Sequence, residues 1–272
     1  MRPLNISVII TTYNRPDSLA LVLHALAAQT RQAFEIIIAD DGSQPETRDM
    51  IQHIQGDIPC RITHVWQSDK GFRAAKIRNK AVAKSHGSYL IFLDGDCIPL
   101  PNFIEKHSQL AEKQHFISGN RVLCHQDFTV QIIRYQLPIW TWSRTHWFMQ
   151  YLKGHINRVL PLLTLPSMLR HLISRQRWQG AKTCNLALWR EDFMSVNGFE
   201  EQFTGWGHED AEFVVRLLRA QVHRKTGRFA VPVFHLWHSE NDRSQEQENR
   251  QRLQDVLDAQ HHHAQQGIQQ YL

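Results

Sequence analysis

Within the first hundred residues, four short strand-like runs at 6–10, 34–39, 61–66 and 89–93, the last of them unbroken and apolar, alternate with helix-like stretches. This alternation constrains the fold more than any other feature of the chain. Strands joined by helical crossovers lie parallel and are covered on both faces, so they read as continuous apolar runs rather than as alternating ones. In such a sheet a ligand sits beyond the carboxyl ends of the strands. Three of the four runs end there in suggestive residues: Thr11-Thr12-Tyr13-Asn14-Arg15-Pro16, Asp40-Asp41-Gly42-Ser43 and Asp94-Gly95-Asp96. The expected fold class is α/β, a Rossmann-like, mostly parallel central sheet flanked by helices, with a helical basic and aromatic insertion.

Local signals sharpen this outline. Asp17 or Ser18 is placed to cap a first helix with Leu19, Val22, Leu23 and Leu26 on its apolar stripe. Further helices are expected at 46–55, 72–85, 103–114 and 209–219. A further strand is expected at 116–123, and an edge strand at 229–234, where Pro232 removes a donor. The chain reads as one domain over 1–272. Within it, 1–127 is a nucleotide-binding half, 128–182 the insertion, 183–240 an acceptor half and 241–272 a polar helical tail.

Asp94 and Asp96 lie so close that a positive charge is expected beside them. Hard oxygen ligands at a strand end suit Mg²⁺ or Mn²⁺ carrying a diphosphate; the plainer reading is an acidic loop. No Gly-x-Gly-x-x-Gly follows the first strand and no Gly-x-x-x-x-Gly-Lys occurs, so the standard dinucleotide and triphosphate loops are absent. A nucleotide would have to be held by the strand-end residues themselves, with Tyr13 stacking, Asp41 accepting from a base N–H and Asp94 near a ribose hydroxyl. For Asp40-Asp41-Gly42-Ser43 an Asx turn is the competing reading.

Four scattered cysteines in 272 residues argue against a disulfide framework or a zinc site and fit a reducing compartment. The N-terminus runs straight into the first strand, so no signal peptide is expected, and no apolar run is long enough to span a bilayer. The net charge of +5 favours anionic partners. That charge is concentrated, because no acidic residue occurs between 128 and 190, whereas Arg134, Arg144, Lys153, Arg158, Arg170, Arg175, Arg177, Lys182 and Arg190 do. Trp140, Trp142, Trp147 and a leucine-rich stretch are interleaved with them. The mixture suits an anionic membrane surface, with Trp140, Trp142 and Trp147 as contact residues. A nucleic-acid groove and an ordinary helical insertion are the competing readings.

Acidic residues return in Gly205-Trp206-Gly207-His208-Glu209-Asp210. Glu209 and Asp210 occupy the first turn of a helix, where its dipole alone would favour them; the functional reading is a general base beside an acceptor-recognition acid. Further on, His235 and His238 stand at a strand end, able to offer an imidazole to a metal.

Together these segments resemble the family 2 glycosyltransferases of the GT-A fold. The likeness rests on residues 8–15, Asp40-Asp41-Gly42-Ser43, Lys76-Ile77-Arg78-Asn79-Lys80-Ala81 and Asp94-Gly95-Asp96. The second half is similar to bacterial chondroitin polymerase modules and β-1,4-galactosyltransferases through Asn185-Leu186-Ala187, Gly198-Phe199, residues 205–210 and His235-Leu236-Trp237-His238-Ser239. The resemblance implies an inverting, metal-dependent hexosyltransferase using Mn²⁺ or Mg²⁺. It implies donor contacts by Thr11, Tyr13, Arg15, Asp40, Asp41, Arg78, Asp94 and Asp96. It implies metal ligation by Asp96 with His238 or His235, acceptor contacts by Trp206, Glu209 and Asn185, and catalysis by Asp210 with Glu209. His208 departs from the pattern, since those relatives usually carry glycine there.

The implied partners are a nucleotide sugar, by preference a UDP-sugar, and a glycan or lipid-linked acceptor of bacterial surface polysaccharide or lipopolysaccharide synthesis. Peripheral contact with the inner face of the plasma membrane from the cytoplasm is expected, and no nucleic acid. The rivals are a sugar nucleotidyltransferase, which would need a glycine-rich loop that 11–16 lacks, and a non-catalytic membrane-surface protein.

Overall fold

The computed structural model describes residues 4–163, 177–239 and 242–272. Arg170, Arg175 and the rest of 164–176 lie outside the described residues, as does the boundary expected at 240–241.

The chain begins with β1 (Ile6–Thr12), α1 (Pro16–Ala27), β2 (Glu35–Asp40), α2 (Pro45–Ile54), β3 (Arg61–Trp66), α3 (Ala74–Lys84) and β4 (Tyr89–Asp94). These four strands stand in the order β3-β2-β1-β4 and are all parallel. The register sets Thr11 beside Asp94 and Thr12 beside Asp40, so the polar strand ends share one edge. Ile9, Ile37 and Phe92 bury on one face and Val8, Ile36 and Ile91 on the other. Helices cover both faces, which is why the strands lack alternation.

The chain continues through β5 (Cys97–Pro99), α4 (Phe103–Leu110), β6 (His115–Ser118), β7 (Asn120–Leu123), α5 (Gln126–Arg134) and α6 (Arg144–Leu152). It then forms β8 (Asn185–Trp189), α7 (Arg190–Ser195), α8 (Glu209–Arg219), β9 (His223–Thr226), β10 (Pro232–His235) and α9 (Glu246–Asp258). β8 runs antiparallel between β4 and β6, and β9 closes the edge, giving a seven-stranded mixed sheet. A second sheet of three strands has the order β5-β10-β7.

Three local expectations change. The strand expected at 116–123 is two strands in different sheets, broken at Gly119. A side chain there would place its Cβ 2.2 Å from the Asn185 amide. The strand carrying Pro232 is the middle strand of the small sheet, not an edge. Pro232 is its first residue, and β5 pairs only from Val233 onward, so the missing N–H breaks no bond to it. Neither Asp17 nor Ser18 caps α1. Pro16 starts the helix, and both side chains instead accept from the Arg15 guanidinium.

The described part of the insertion is welded to the core. Trp147 is buried and stacks on Phe234 of β10 with ring centroids 3.7 Å apart. Trp142 packs 5.1 Å from Trp147, and Trp140 is half-buried against the same cluster. Of the tryptophans expected as a membrane face, Trp147 is therefore a core residue, and Trp140 and Trp142 are partly buried against it. A large aromatic ring with a buried partner gains more from packing than from facing solvent.

Candidate active site

The carboxyl edge of β1, β2 and β4 opens into a cleft of ≈ 640 Å³. The small sheet supplies its far wall and the start of α8 its side. Backbone pairing alone brings the first distant pair together. β5 lies antiparallel to β10 with Cys97 opposite His235, and the Leu236 N–H donates to the Asp96 carbonyl at 2.9 Å. Asp96 and His235 are therefore neighbours because their strands are. His238 comes from the same turn. The Asp96 Oδ2 atom lies 3.7 Å from His235 Nε2 and 3.4 Å from His238 Nε2.

Three features of this cluster suit a divalent cation. The Asp96 Oδ1 atom is buried and has no hydrogen-bond partner. One ligand atom from each of Asp96, His235 and His238 lies within 4.8 Å of the others. The His238 Nδ1 atom sits 2.7 Å from the Ser239 carbonyl, which can only accept. The proton then belongs on Nδ1, and the Nε2 lone pair faces Asp96. One carboxylate with two imidazoles suits Mn²⁺ better than Mg²⁺, which prefers oxygen throughout.

A second convergence centres on Arg78 of α3. Its Nε donates to Thr11 Oγ1 at 3.0 Å. Its other nitrogens reach Glu209 at 3.3 Å and Asp94 and Asp210 at 3.5 Å each. The guanidinium is buried and stays charged because the three carboxylates outweigh the burial. Asp94 is raised to about 6 by burial, with Asp96 and Asp210 adding to the rise and Arg78 opposing it. Glu209 is raised to about 7 by burial and by Asp210, again against Arg78.

Asp210 is oriented by Thr183, whose Oγ1 donates at 2.6 Å and whose backbone N–H donates at 3.2 Å. Its side chain remains 21% exposed at the cleft, against 11% for Glu209. The loop leading into α8 is held from α3: the Asn79 amide donates to the Phe199 carbonyl and accepts from its N–H. Gly198 has φ +68°, and a Cβ there would meet Asn79 Oδ1 at 2.5 Å, so glycine is required. His208, the N-cap of α8, also takes a left-handed conformation, with φ +71°. Glycine adopts this conformation without strain, whereas a histidine there is strained.

Thr11, Tyr13, Arg15, Asp41, Arg78, Asp94, Asp96, Trp206, Glu209, Asp210, His235 and His238 all line the cleft. Tyr13 is half exposed, with its hydroxyl donating to Asp69 at 2.8 Å. Asp41 is fixed by Gln67 and by the Arg73 N–H, at 2.6 Å each, and burial raises its pKa. Two expected contacts are not brought there. Asp40 is buried in the Asx turn. Burial opposes its ionisation, but hydrogen bonds from His64 and Ser43 hold it ionised below the usual carboxylate range. Asn185 is buried between the sheets, donating to the Val231 carbonyl at 2.6 Å and facing His107, so its amide is spent on joining β8 to the loop before β10. Thr183, Gln67 and Arg121 are site residues that sequence reading passes over. Only the position of Thr183 just before the Asn185 motif offers a signal.

The Asp210 carboxylate beside the cleft, with a candidate metal cluster across it, makes this edge of the α/β scaffold a candidate group-transfer site. The chain matches the family described as "Glycosyl transferase family 2" over residues 7–172, and "N-terminal domain of galactosyltransferase" over residues 166–238. It belongs to glycosyl transferase family 2.

Among its relatives is validoxylamine A glucosyltransferase of Streptomyces hygroscopicus subsp. jinggangensis, 30% identical over 229 residues, covering 78% of this chain and 51% of that protein. Chondroitin synthase of Escherichia coli is 27% identical over 235 residues, covering 79% and 32%. The chain thus spans about half or less of the length of these relatives. Among solved structures it is similar to S. aureus TarS 1-349 in complex with UDP, at TM-score 0.63 and 12% identity, covering 98% of this chain and 68% of that one. It is also similar to the mannosyltransferase PcManGT from Pyrobaculum calidifontis in complex with GDP-Man and Mn²⁺, at TM-score 0.55 and 15% identity, covering 88% and 59%. At these identities the structural likeness speaks for the GT-A fold.

Proposed function

We propose that the cleft transfers a hexose or N-acetylhexosamine from a nucleotide sugar, by preference a UDP-sugar, to a hydroxyl of a glycan or lipid-linked acceptor, with inversion. The setting is bacterial surface polysaccharide or lipopolysaccharide synthesis. The observation that carries this reading is the gathering of Asp96, His235, His238 and Asp210 around one cleft from segments more than a hundred residues apart.

In this reading Thr11, Tyr13 and Asp41 hold the base, and Asp94 the ribose side. Asp96 with His238 and His235 would hold Mn²⁺ or Mg²⁺, which when bound neutralises the diphosphate and stabilises it as a leaving group. Asp210 accepts the proton as the acceptor oxygen attacks the anomeric carbon. The bond from that carbon to the phosphate oxygen breaks on the opposite face. Thr183 and Arg78 keep the Asp210 carboxylate aligned, which a carboxylate base requires. Glu209 and Trp206 face the acceptor. Arg243 lies over the Trp206 ring at 4.6 Å, which supports Trp206 as a stiff acceptor platform.

Membrane contact belongs to this reading through other residues than the tryptophans. α6 buries Trp147 and Gln150 and turns Phe148, Met149, Tyr151 and Leu152 outward. Exposed apolar side chains on an acid-free, basic stretch support docking on an anionic bilayer.

The test is a nucleotide-release screen over UDP-, GDP- and TDP-sugars with and without Mn²⁺. Release of UDP that needs the metal is expected. Pyrophosphate release from a nucleoside triphosphate and a sugar phosphate would instead identify a nucleotidyltransferase. No release with any donor would leave the membrane-surface protein.

A further inference from the structure

Arg121, Arg158 and Arg228 come from three separate segments and are built into one place beside the cleft. Arg121 lies on β7, and its side chain lines the cleft wall. The segment carrying Arg158 is pinned alongside β7. Cys124 and Ile156 form a β-bridge, the Asn157 N–H donates to the Leu123 carbonyl at 3.1 Å, and Asn157 Oδ1 accepts from the Leu123 N–H at 3.0 Å. The Arg158 Nη2 atom then reaches the Arg121 carbonyl at 2.5 Å. The turn carrying Arg228 is pinned to the start of the same strand. The Gly227 N–H donates to the Ser118 carbonyl at 2.9 Å, and a Cβ on Gly227 would lie 3.0 Å from the Gly119 Cα.

Arg121 feels Asp94 and Asp96 across the cleft wall, whereas Arg158 and Arg228 stand at the mouth without an acid to join them. None of the three forms an ion pair with a carboxylate among the described residues, and the sequence holds no acidic residue from 128 to 190. Their mutual repulsion is felt: the pKa of Arg158 is lowered by burial and then by Arg228 and Arg121. A fold that pins the three backbone segments side by side, and ties the Arg158 guanidinium to the Arg121 carbonyl, leaves an anion to complete the outer two cations. The charge count selects the anion. A carboxylate supplies one negative charge for the two cations that lack an acid, Arg158 and Arg228, whereas a phosphate monoester supplies nearly two and matches the forked donors of arginine.

Resting on the sugar-transfer reading above, we propose that Arg121, Arg158 and Arg228 form a subsite for a phosphate group carried by the acceptor. The subsite makes a glycan or a lipid that carries a phosphate monoester a better acceptor than a neutral sugar. Arg121 reaches the cleft wall, and Arg158 and Arg228 are exposed. The phosphate therefore sits at the mouth while the acceptor hydroxyl points in toward Asp210.

The experiment uses the full chain saturated with UDP and Mn²⁺, so that the donor side is filled. Glucose 6-phosphate and glucose are titrated by calorimetry. In parallel, phosphatidylcholine vesicles with one-fifth phosphatidic acid are compared with vesicles holding one-fifth phosphatidylglycerol. Glucose 6-phosphate is expected to bind and glucose not. The Arg158→Ala/Arg228→Ala variant is expected to lose at least tenfold of that affinity while its UDP affinity stays within twofold. The Arg158→Lys/Arg228→Lys variant recovers part of the loss. Preference for phosphatidic acid vesicles that the double alanine variant abolishes assigns the phosphate to a lipid; binding of glucose 6-phosphate alone assigns it to a soluble glycan.

Three outcomes overturn the proposal: no difference between glucose 6-phosphate and glucose with no vesicle preference, binding by the double alanine variant equal to wild type, or a tenfold loss of UDP affinity in that variant. The last would give these cations to the donor. Absence of UDP binding in the wild type is a separate result, which removes the sugar-transfer reading itself.

Discussion

Arg78 holds Asp94, Glu209 and Asp210 within 3.3–3.5 Å of one guanidinium, so the behaviour of each acid depends on the others. Asp210 is the more open of the pair on α8 and the one oriented by Thr183. Asp210→Asn keeps the shape and removes the proposed base. Turnover is expected to fall by roughly 10²–10⁴ while UDP affinity changes by less than about twofold; equal loss of both in calorimetry and rate assays would make Asp210 structural.

Glu209 gives a different test. Its pKa rises on folding from 4.5 to about 7, so the folded state binds the extra proton. The stability tied to that proton is fully present below pH 4.5 and is lost as pH rises through 7. Glu209→Gln carries no such proton. In metal-free buffer its thermal midpoint is expected to gain on wild type between pH 5 and 8 by several degrees, on the order of 2–3 kcal/mol. A gap that does not change with pH would contradict the burial argument. These acids are legible in the sequence because they sit at strand and helix ends. Their partners Thr183 and Gln67 are not, because a hydrogen bond spanning more than twenty residues leaves no spacing pattern behind.

At the level of elements, β1, β2 and β4 are legible because a strand buried on both faces is apolar nearly throughout, while β3, at the sheet edge, keeps polar and exposed residues. The small sheet is not. β5 is three residues long, and β6 and β7 read as one run until Gly119 sends their ends to different sheets. That sheet sets Asp96 against His235, so the likeness to known proteins names the ligands while pairing of strands explains their meeting.

The same limit applies to α6. Composition marks the segment as basic and aromatic, but only packing tells which aromatic faces inward, and it is Trp147. The membrane test moves accordingly to Phe148, Met149 and Leu152. Changing all three to Ser should lower partition onto vesicles containing phosphatidylglycerol by at least about tenfold, since each loses apolar contact worth around 0.8 kcal/mol per buried methylene. The Trp147→Ser change should instead lower the melting temperature. Unaltered sedimentation of the triple variant would exclude α6 as the contact.

Across the whole molecule, charge and topology divide the labour. The parallel half of the sheet presents Thr11, Asp41 and Asp94 on one edge. The mixed half and the small sheet return the chain to that edge with Asp96, His235 and Asp210. The stretch from 128 to 190 adds cations and no acids. No helix among the described residues is long and apolar enough to cross a membrane. The account as a whole stands on Asp96 and the two histidines serving the nucleotide while Asp210 serves the acceptor. Calorimetric titration of UDP into wild type, Asp96→Asn and Asp210→Asn, each with and without Mn²⁺, separates those roles. Wild type and Asp210→Asn should bind UDP at least tenfold more tightly with Mn²⁺, and Asp96→Asn should show no gain from the metal. Binding that ignores Mn²⁺ in all three proteins, or a metal gain that survives in Asp96→Asn, would contradict it.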